Sequence, residues 1–567
     1  MTSNSNNNNN INININSNTN TNMDIVSNNR LFSEFYTSFE TENITDTEII
    51  GTDTSLIDIH FGILKLHTIP ANITNNDIEF VFVVDHSRSM YDKCSDGKTK
   101  MEHIIHTLKN MFLYFHKISS DNLYFTIFIF DERFDSIMER KQISKNEDID
   151  LIFALIDNIE PRGSTNIECA LNKTCEYIHS VKNKYPNCTF NNIFMTDGQA
   201  TSGSKNNILL KNILTIDQNI NNYFIGFGLD HDASLLNYIS NEKNSSYYFI
   251  DAIEKAGLVY GEILHDILYR LLSDVQIIVE NGSIYDYKNN IWVKNLYIGN
   301  INGESNKTYH LLSYSPNDCN VIINCKYEKE ENNIIVNKLI LDNTNHIKFI
   351  FRQKTLQLLY EINDYSNKSS EMKNYLKKNI LALFNEIKNY ITNNNTNTNN
   401  NTNTNIVEDN IFLNNLCDDI SISYRTMGSK YGAMYSYARQ TSQGTQRCYT
   451  VSQTPDYLDF DWGINTLRQP RLNRNRYNHF DGSYNINDVF IRLPNDRDNN
   501  NDDNNNDDND IDDQDILVHH MNDFDESPYL TPTASQLMRE ISAFDTLTTS
   551  YNSKFNCMDD FEKTQSY

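Results

Sequence analysis

The reading turns on FVFVVDHSRSM, residues 80–90. Phe80 to Val84 are all apolar, so a strand here has no polar face and belongs inside a sheet covered on both sides. Buried strands ordinarily stop at glycine, proline or asparagine, whereas this one stops at Asp85 and continues with Ser87 and Ser89 at alternate positions. In an extended loop that spacing turns Asp85, Ser87 and Ser89 to one side and His86 and Arg88 to the other. Carboxylate and hydroxyl groups gathered at a strand end suggest a binding site.

Outward from this stretch, apolar runs of strand length alternate with amphipathic runs of helix length. The strands are expected at 78–84, 123–130, 190–197, 222–228 and 245–250. The helices are expected over 148–159, 166–181 and 252–275, and an earlier one is marked by Met101, Ile104, Ile105, Leu108, Met111, Phe112 and Phe115 at helical spacing. Such alternation predicts an α/β fold, a doubly wound and mostly parallel sheet flanked by helices, over 78–275. Beyond 275 the period becomes two, which predicts a small antiparallel β domain at 276–345. An N-terminal strand within 55–70, with Ile57, Ile59, Phe61 and Ile63 alternating, is expected to join that β domain, making the α/β unit an insertion in it. Residues 346–445 read as a helical C-terminal region interrupted by a linker at 393–405.

The remainder is compositionally biased. Residues 1–22 are asparagine-rich, and 446–567 form a largely disordered, acidic tail with an Asn/Asp tract near 495–515. Within the tail, 527–544 carries a capping-box pattern from Thr533 to Gln536 ahead of Leu537, Met538, Ile541 and Phe544; the expected helix docks back on the body, since so short a helix is marginal alone. About 450 residues remain for folded structure, enough for two or three domains.

The formal charge of −27 argues against sequence-independent phosphate binding, so no nucleic-acid partner is expected. The exception is RQPRLNRNRYNHF (468–480), which reads as a solvated basic loop or one paired with the acidic tract. Nine cysteines include no CxxC pair, and neither a signal peptide nor a membrane segment is read, so the expected location is intracellular and cytoplasmic. Cys169 and Cys175 read as core or near-core thiols, and His103 with His106 as a solvated or packed pair lacking a third metal ligand.

Ligands of open α/β sheets bind beyond the carboxyl ends of the strands. Three stretches fall there: DHSRS with Asp85, Ser87 and Ser89; PRGSTN (161–166) with Thr165; and FMTDGQAT (194–201) with Asp197. Two carboxylates and three hydroxyls form an all-oxygen set suited to a hard cation, Mg²⁺ first and Mn²⁺ as the alternative. The competing reading is structural, with each Asp, Ser or Thr satisfying backbone donors in its own loop. It explains one motif more readily than three in order.

DxSxS, then GxTN, then a strand ending TDG resembles the metal-ion-dependent adhesion site of von Willebrand factor A domains, over roughly 78–275. The later GFGLDHDASLLNYIS (226–240) and SYYFI also look like that family's last strands. The resemblance implies a Rossmann-like fold in which Ser87, Ser89 and Thr165 coordinate the metal by hydroxyl oxygen while Asp85 and Asp197 act directly or through water. The stretch through about 445, including YSYARQTSQGTQRCYT (435–450), is similar to proteins in which a C-terminal interface region follows the A domain. The leading expectation is a non-enzymatic, Mg²⁺-dependent protein-binding module whose partner presents an Asp or Glu to the metal. The alternatives are a scaffold or ubiquitin-pathway adaptor using the tail as a second site, and a metal-dependent hydrolase. The latter needs a base, and His86, the one titratable base in the motifs, is expected to point away. Oligomeric state is not read from the sequence.

Overall fold

The computed structural model describes residues 32–39, 59–73, 76–94, 97–143, 149–214, 217, 219–228, 230–250, 256–327, 330–338, 346–396, 404–429, 431–447 and 529–541. The segment 1–22, the basic stretch 468–480 and the acidic tract 495–515 lie outside the described residues.

Strands β1 (Phe32–Phe39) and β2 (His60–Thr68) precede the α/β unit. The unit runs β3 (Ile78–Asp85), α1 (Lys100–Ile118), β4 (Leu123–Phe130), β5 (Phe134–Gln142), α2 (Ile149–Asp157), α3 (Ile167–Lys184), β6 (Thr189–Thr196), α4 (Asn207–Ile213), β7 (Ile220–Phe227), α5 (Ala233–Ser240), β8 (Ser245–Ile250) and α6 (Ala256–Leu268). The sheet order is β5-β4-β3-β6-β7-β8, and every pair is parallel except β4 with β5. This is the doubly wound, mostly parallel sheet expected from the sequence.

All eight residues of β3 are buried, and their alternation sends them into two cores. Phe80, Phe82 and Val84 pack with Leu108, Phe112 and Phe115 of α1 and with Ile263 of α6. Val81 and Val83 pack on the other face with Ile167 and Leu171 of α3 and Leu236 of α5. The Phe115 ring lies 4.9 Å from that of Phe80 and 4.5 Å from that of Phe125. Each such side chain, fully buried, contributes roughly 1.5–3 kcal/mol. Packing on both faces therefore fixes the end of β3, and Asp85 with it.

The chain then continues β9 (Arg270–Glu280), β10 (Ser283–Asp286), β11 (Ile291–Val293), β12 (Asn295–Asn302), β13 (Asn306–Ser313), β14 (Asn320–Tyr327), β15 (Glu330–Ile335) and β16 (Asn337–Lys338). These strands, with β1 and β2, form two sheets of orders β11-β10-β13-β2-β1-β16 and β12-β9-β14-β15. Leu64, Leu66 and Leu311 of the first sheet share a core with Ile277, Val279, Val321 and Ile323 of the second. β2 pairs antiparallel with β13, so the chain enters this sandwich, leaves it for the α/β unit and returns. Phe61 and Ile63, on the outer face of β2, pack against helices α7 (Ile347–Ile362), α8 (Ser370–Thr396) and α9 (Thr404–Thr426). Helix α10 (Gly432–Thr445) sets Met434, Tyr435 and Ala438 into the A-unit core beside α5 and β8.

Several expected boundaries move. The helix expected over 252–275 ends at Leu268 in α6, and β9 begins at Arg270; from Leu272 the apolar residues Val275, Ile277 and Val279 fall in the sandwich core, so pairing with β12 and β14 overrides helical propensity. Strand β5 was not expected, because of its nine residues only Met138 is buried and the rest read as a polar loop. β1 was not expected either. The linker expected at 393–405 is narrower, since α8 extends to Thr396 and α9 begins at Thr404.

In the tail a helix spans 532–541. Its cap is Thr531, whose Oγ1 accepts from the Ala534 amide at 3.1 Å, and Pro532 takes the first helical position, where its missing N–H costs nothing. The Thr533–Gln536 box is not formed: the Thr533 amide donates to Glu304 Oε2 instead. Leu537 and Ile541 enter the α1–α6 core, and Lys117 pairs with Glu540 at 2.8 Å. A Cβ on Gly261 of α6 would lie 2.8 Å from Met538 Cγ and 3.1 Å from its Cα. Gly261→Leu is therefore expected to expel the helix without unfolding the body, and limited proteolysis will show cleavage within 529–541 several-fold faster than in the unaltered chain.

Candidate metal centre

The three loops at the carboxyl end of the sheet are tied to one another by backbone bonds. The Arg162 amide donates to the His86 carbonyl at 2.7 Å, and the Arg88 amide to the Gly163 carbonyl at 3.3 Å, joining the first loop to the second. The second is joined to the third where the Thr165 carbonyl accepts from the amides of Thr201 (3.0 Å) and Ser202 (3.1 Å), while the Thr165 amide donates to Thr201 Oγ1 (2.8 Å). Gly163 sits at φ +68°, and a Cβ there would lie 1.9 Å from Glu132 Oε2, the oxygen that also accepts the Ser164 amide. Only glycine meets both demands. Gly163→Ala is expected to displace Thr165 and to weaken cation binding at least tenfold, measured by calorimetric titration with Mg²⁺.

Within this frame the five residues singled out in the sequence come close together. Asp85 is 1% exposed; its Oδ1 accepts the Ser87 amide (2.8 Å) and its Oδ2 the Thr196 hydroxyl (2.6 Å). The hydroxyls of Ser87 and Ser89 are 3.2 Å apart, and Ser89 Oγ donates to Asp197 Oδ1 at 2.8 Å. A Cβ on Gly198 would stand 3.6 Å from both Ser89 Oγ and Thr165 Oγ1, so the side-chain-free Gly198 leaves the space between them open. Burial, then the nearby charge of Asp197, pushes the Asp85 carboxyl up to about 7.

The donor set fits a small divalent cation. Adjacent oxygens on an octahedron with ~2.1 Å bonds lie about 3.0 Å apart. The Ser87–Ser89 and Ser89–Asp197 separations of 3.2 and 2.8 Å bracket that edge. Both carboxylates are buried, Asp85 at the cost of its ionised form, and positive charge would relieve that cost. Among the described residues there is no group of three or more His, Cys, Asp or Glu poised for a metal, consistent with a set in which three of five donors are hydroxyls.

Two contributors escaped the sequence reading. Thr196 belongs to the TDG motif yet acts as the hydroxyl donor that orients Asp85. Lys100, the first residue of α1, places Nζ 2.7 Å from Asp197 Oδ2 and 3.8 Å from Asp92 Oδ2. Burial works against its charge, but Asp197, with Asp92 and Asp230 beside it, outweighs burial and holds the ammonium above its usual range. The signal for Lys100 was positional: Thr99 and Glu102 form a complete capping box, which starts α1 abruptly at that residue. Lys100 thus offsets one of the two carboxylates of the set, and Asp85, Asp197 and Lys100, all ionised, pass together from −1 to +1 when a divalent cation enters.

His86 is buried, with Nδ1 3.2 Å from the Glu160 carbonyl and Nε2 3.7 Å from Asp131 Oδ2, and burial lowers its pKa. Asp131, at the end of β4, also receives Arg162 Nε at 2.8 Å, so it anchors the second loop. His103 is buried within α1, and Cys169 and Cys175 are half-buried residues of α3 that form no disulfide.

Residues 79–260 match the von Willebrand factor type A domain, and the α/β unit described above has that domain's fold. No curated protein matches the chain. Among solved structures, it is similar to the ArnB paralog VWA2 from Sulfolobus acidocaldarius (14% identity, 73% of this chain and 98% of that one, TM-score 0.43). It is also similar to a von Willebrand factor type A protein from Catenulispora acidiphila (12% identity, 63% and 88%, TM-score 0.44). A third similarity is to proximal thread matrix protein 1 of the mussel byssus with a zinc-occupied MIDAS motif (17% identity, 36% and 50%, TM-score 0.29).

Proposed function

We propose that the von Willebrand factor type A domain of this chain is a cation-dependent protein-binding module, with Asp85, Ser87, Ser89, Thr165 and Asp197 holding Mg²⁺, or Mn²⁺ in its place. The observation that carries this reading is the run of oxygens Ser87–Ser89–Asp197 at octahedral-edge spacing, brought together from separate loops. When bound, the cation supplies a Lewis-acidic position for an anionic group. The residues of the chain set what happens around it: Thr196 and the Ser87 amide orient Asp85, and Lys100 offsets one of the two carboxylates, so the loaded site attracts the Asp or Glu of a protein partner. Tyr91, two residues beyond Ser89 and 53% exposed, offers an aromatic contact for the same partner.

A non-enzymatic role is supported by His86, whose ring engages Glu160 and Asp131 rather than the oxygens of the site. The seven described cysteines are reduced, none of them in a disulfide, which supports an intracellular setting. The adaptor reading draws less support, because the tail helix 532–541 is packed on the chain's own α1 and α6. The test is capture of partners from lysate on the full-length chain in Mg²⁺ and in EDTA, with an acidic peptide as competitor. Partners released by EDTA and by the peptide are expected; partners retained in excess EDTA overturn the mechanism.

A further inference from the structure

Where the A domain, the β-sandwich, α7 and the end of α10 meet, the chain surrounds a cavity of about 350 Å³. Five lysine and arginine side chains line it, Lys243, Lys288, Lys307, Arg352 and Arg447, and Lys243 stands over the Tyr297 ring at 4.9 Å. Arg352 is 2% exposed and donates from its two terminal nitrogens to the carbonyls of Thr308 (2.9 Å) and Gln443 (2.6 Å). Arg447 is 9% exposed, donates from Nη1 to the Tyr247 carbonyl (2.6 Å) and lays its guanidinium 3.6 Å from the centre of the Tyr248 ring. Lys288 Nζ reaches the Ser240 carbonyl at 3.3 Å. These hydrogen-bond and ring partners are neutral, dipoles and a π-face, although Lys288 also feels the charges of Asp286 and Glu242.

Of the four carboxylates in the same wall, Glu262 is buried on α6 and the other three are engaged elsewhere. Glu242 pairs with Lys211 at 2.6 Å, Asp266 accepts from Asn302, and Asp286 accepts from the Lys288 amide and the Asn289 side chain. Meanwhile Arg352 Nε, Arg447 Nη2 and the Tyr287 hydroxyl are buried without a hydrogen-bond partner among the described residues. The groups are near one another: Tyr287 feels the charge of both arginines, and Lys288 that of Arg447. Burial, reinforced by Arg447 against the pull of Asp286, pushes Lys288 down to about 8. Buried cations with donors left over are costly unless an anion completes them.

We propose that this cavity binds a small phosphomonoester, its phosphate held by Arg352, Arg447, Lys288 and the Tyr287 hydroxyl. The positive charges of Lys288, Arg352 and Arg447 match a dianion with three terminal oxygens, whereas a single carboxylate leaves donors unmet. The volume accommodates a small organic group beside the phosphate, and Tyr248, Tyr309 and Tyr529 supply aromatic walls for it. Tyr529 and Thr531 belong to the tail, and Tyr529 donates to Gln443 Oε1 at 3.0 Å, on the residue whose carbonyl holds Arg352. Occupancy of the cavity and seating of the tail helix are thereby linked, each favouring the other.

The experiment uses the full-length chain in EDTA, so that the A-domain site plays no part. Inorganic phosphate and phenyl phosphate are titrated against sodium chloride at matched ionic strength, reading melting temperature and calorimetric heat. Both are expected to bind saturably and raise the melting temperature by several degrees, phenyl phosphate at least tenfold more tightly. Lys288→Gln and Arg447→Met are each expected to weaken phosphate binding at least tenfold; Lys288→Gln alone decides if Arg447→Met does not fold. Melting no different from chloride, or unchanged affinity in Lys288→Gln, overturns the site. Equal affinity for the two probes overturns the monoester and leaves free phosphate as the ligand.

Discussion

In Mg²⁺, Asp85→Asn will bind an acidic partner at least ~100-fold more weakly than the unaltered chain, since loss of residues that merely orient metal ligands already costs 10–100-fold. The change is nearly isosteric, and the eight buried residues of β3 with the two cores they enter remain. Far-UV circular dichroism and the EDTA melting curve should therefore stay native while Mg²⁺-induced stabilisation disappears. Thr196→Val provides the graded companion. It removes the hydroxyl that holds Asp85 Oδ2 without touching a donor of the proposed set, so a loss of about tenfold is expected from misorientation alone. Full Mg²⁺-dependent binding by Asp85→Asn would remove Asp85 from the site.

Asp419→Ala will destabilise the chain by about 3–5 kcal/mol, because it strands a buried arginine. Arg439 Nη1 donates to Asp419 Oδ1 at 2.6 Å and Gln443 Nε2 to Oδ2 at 2.7 Å, with both members of the ion pair 2% exposed at the side chain. The double change Asp419→Leu with Arg439→Met is expected to recover most of the loss in urea unfolding, since apolar replacement of a buried pair is often neutral. The neighbouring residue moves stability the other way. Burial, then the charge of Asp419, pushes the Asp418 carboxyl up to about 7. With its folded pKa above the unfolded value, ionising Asp418 costs nothing below about pH 4, progressively more as pH rises, and the full amount above about 7. Asp418→Asn should match the unaltered chain near pH 4 and exceed it at pH 8 by an amount on the order of 2–4 kcal/mol, at 1.36 kcal/mol per pH unit.

The parallel sheet was legible because its central strands are apolar on both faces, a pattern no solvent-facing strand sustains. Strand β5 was not, since an edge strand buries little and its sequence carries charges instead. The end of α6 was hidden for another reason: the residues after Leu268 are as apolar as the helix before them, and what ends it is pairing with strands 20 to 50 residues downstream. At the candidate site, all five oxygen-bearing residues stood out by motif, while Lys100 did not, because a lone lysine at a helix start has no local pattern. Its place follows from where α1 begins against the sheet. The three cations assigned to the phosphate were beyond sequence reasoning, for they come from a β-turn, from α7 and from beyond α10.

Because β2 meets its neighbour β13 only after the whole A domain has intervened, synthesis imposes an order on assembly. About 240 residues separate the paired strands, and at roughly 5–20 residues per second the ribosome needs some 12–50 seconds to deliver the second. The A domain, complete in sequence by then, has time to mature while β2 waits with one edge exposed. Delays at codons within the inserted stretch would lengthen that wait, and clearance of the nascent chain by quality control should rise with it.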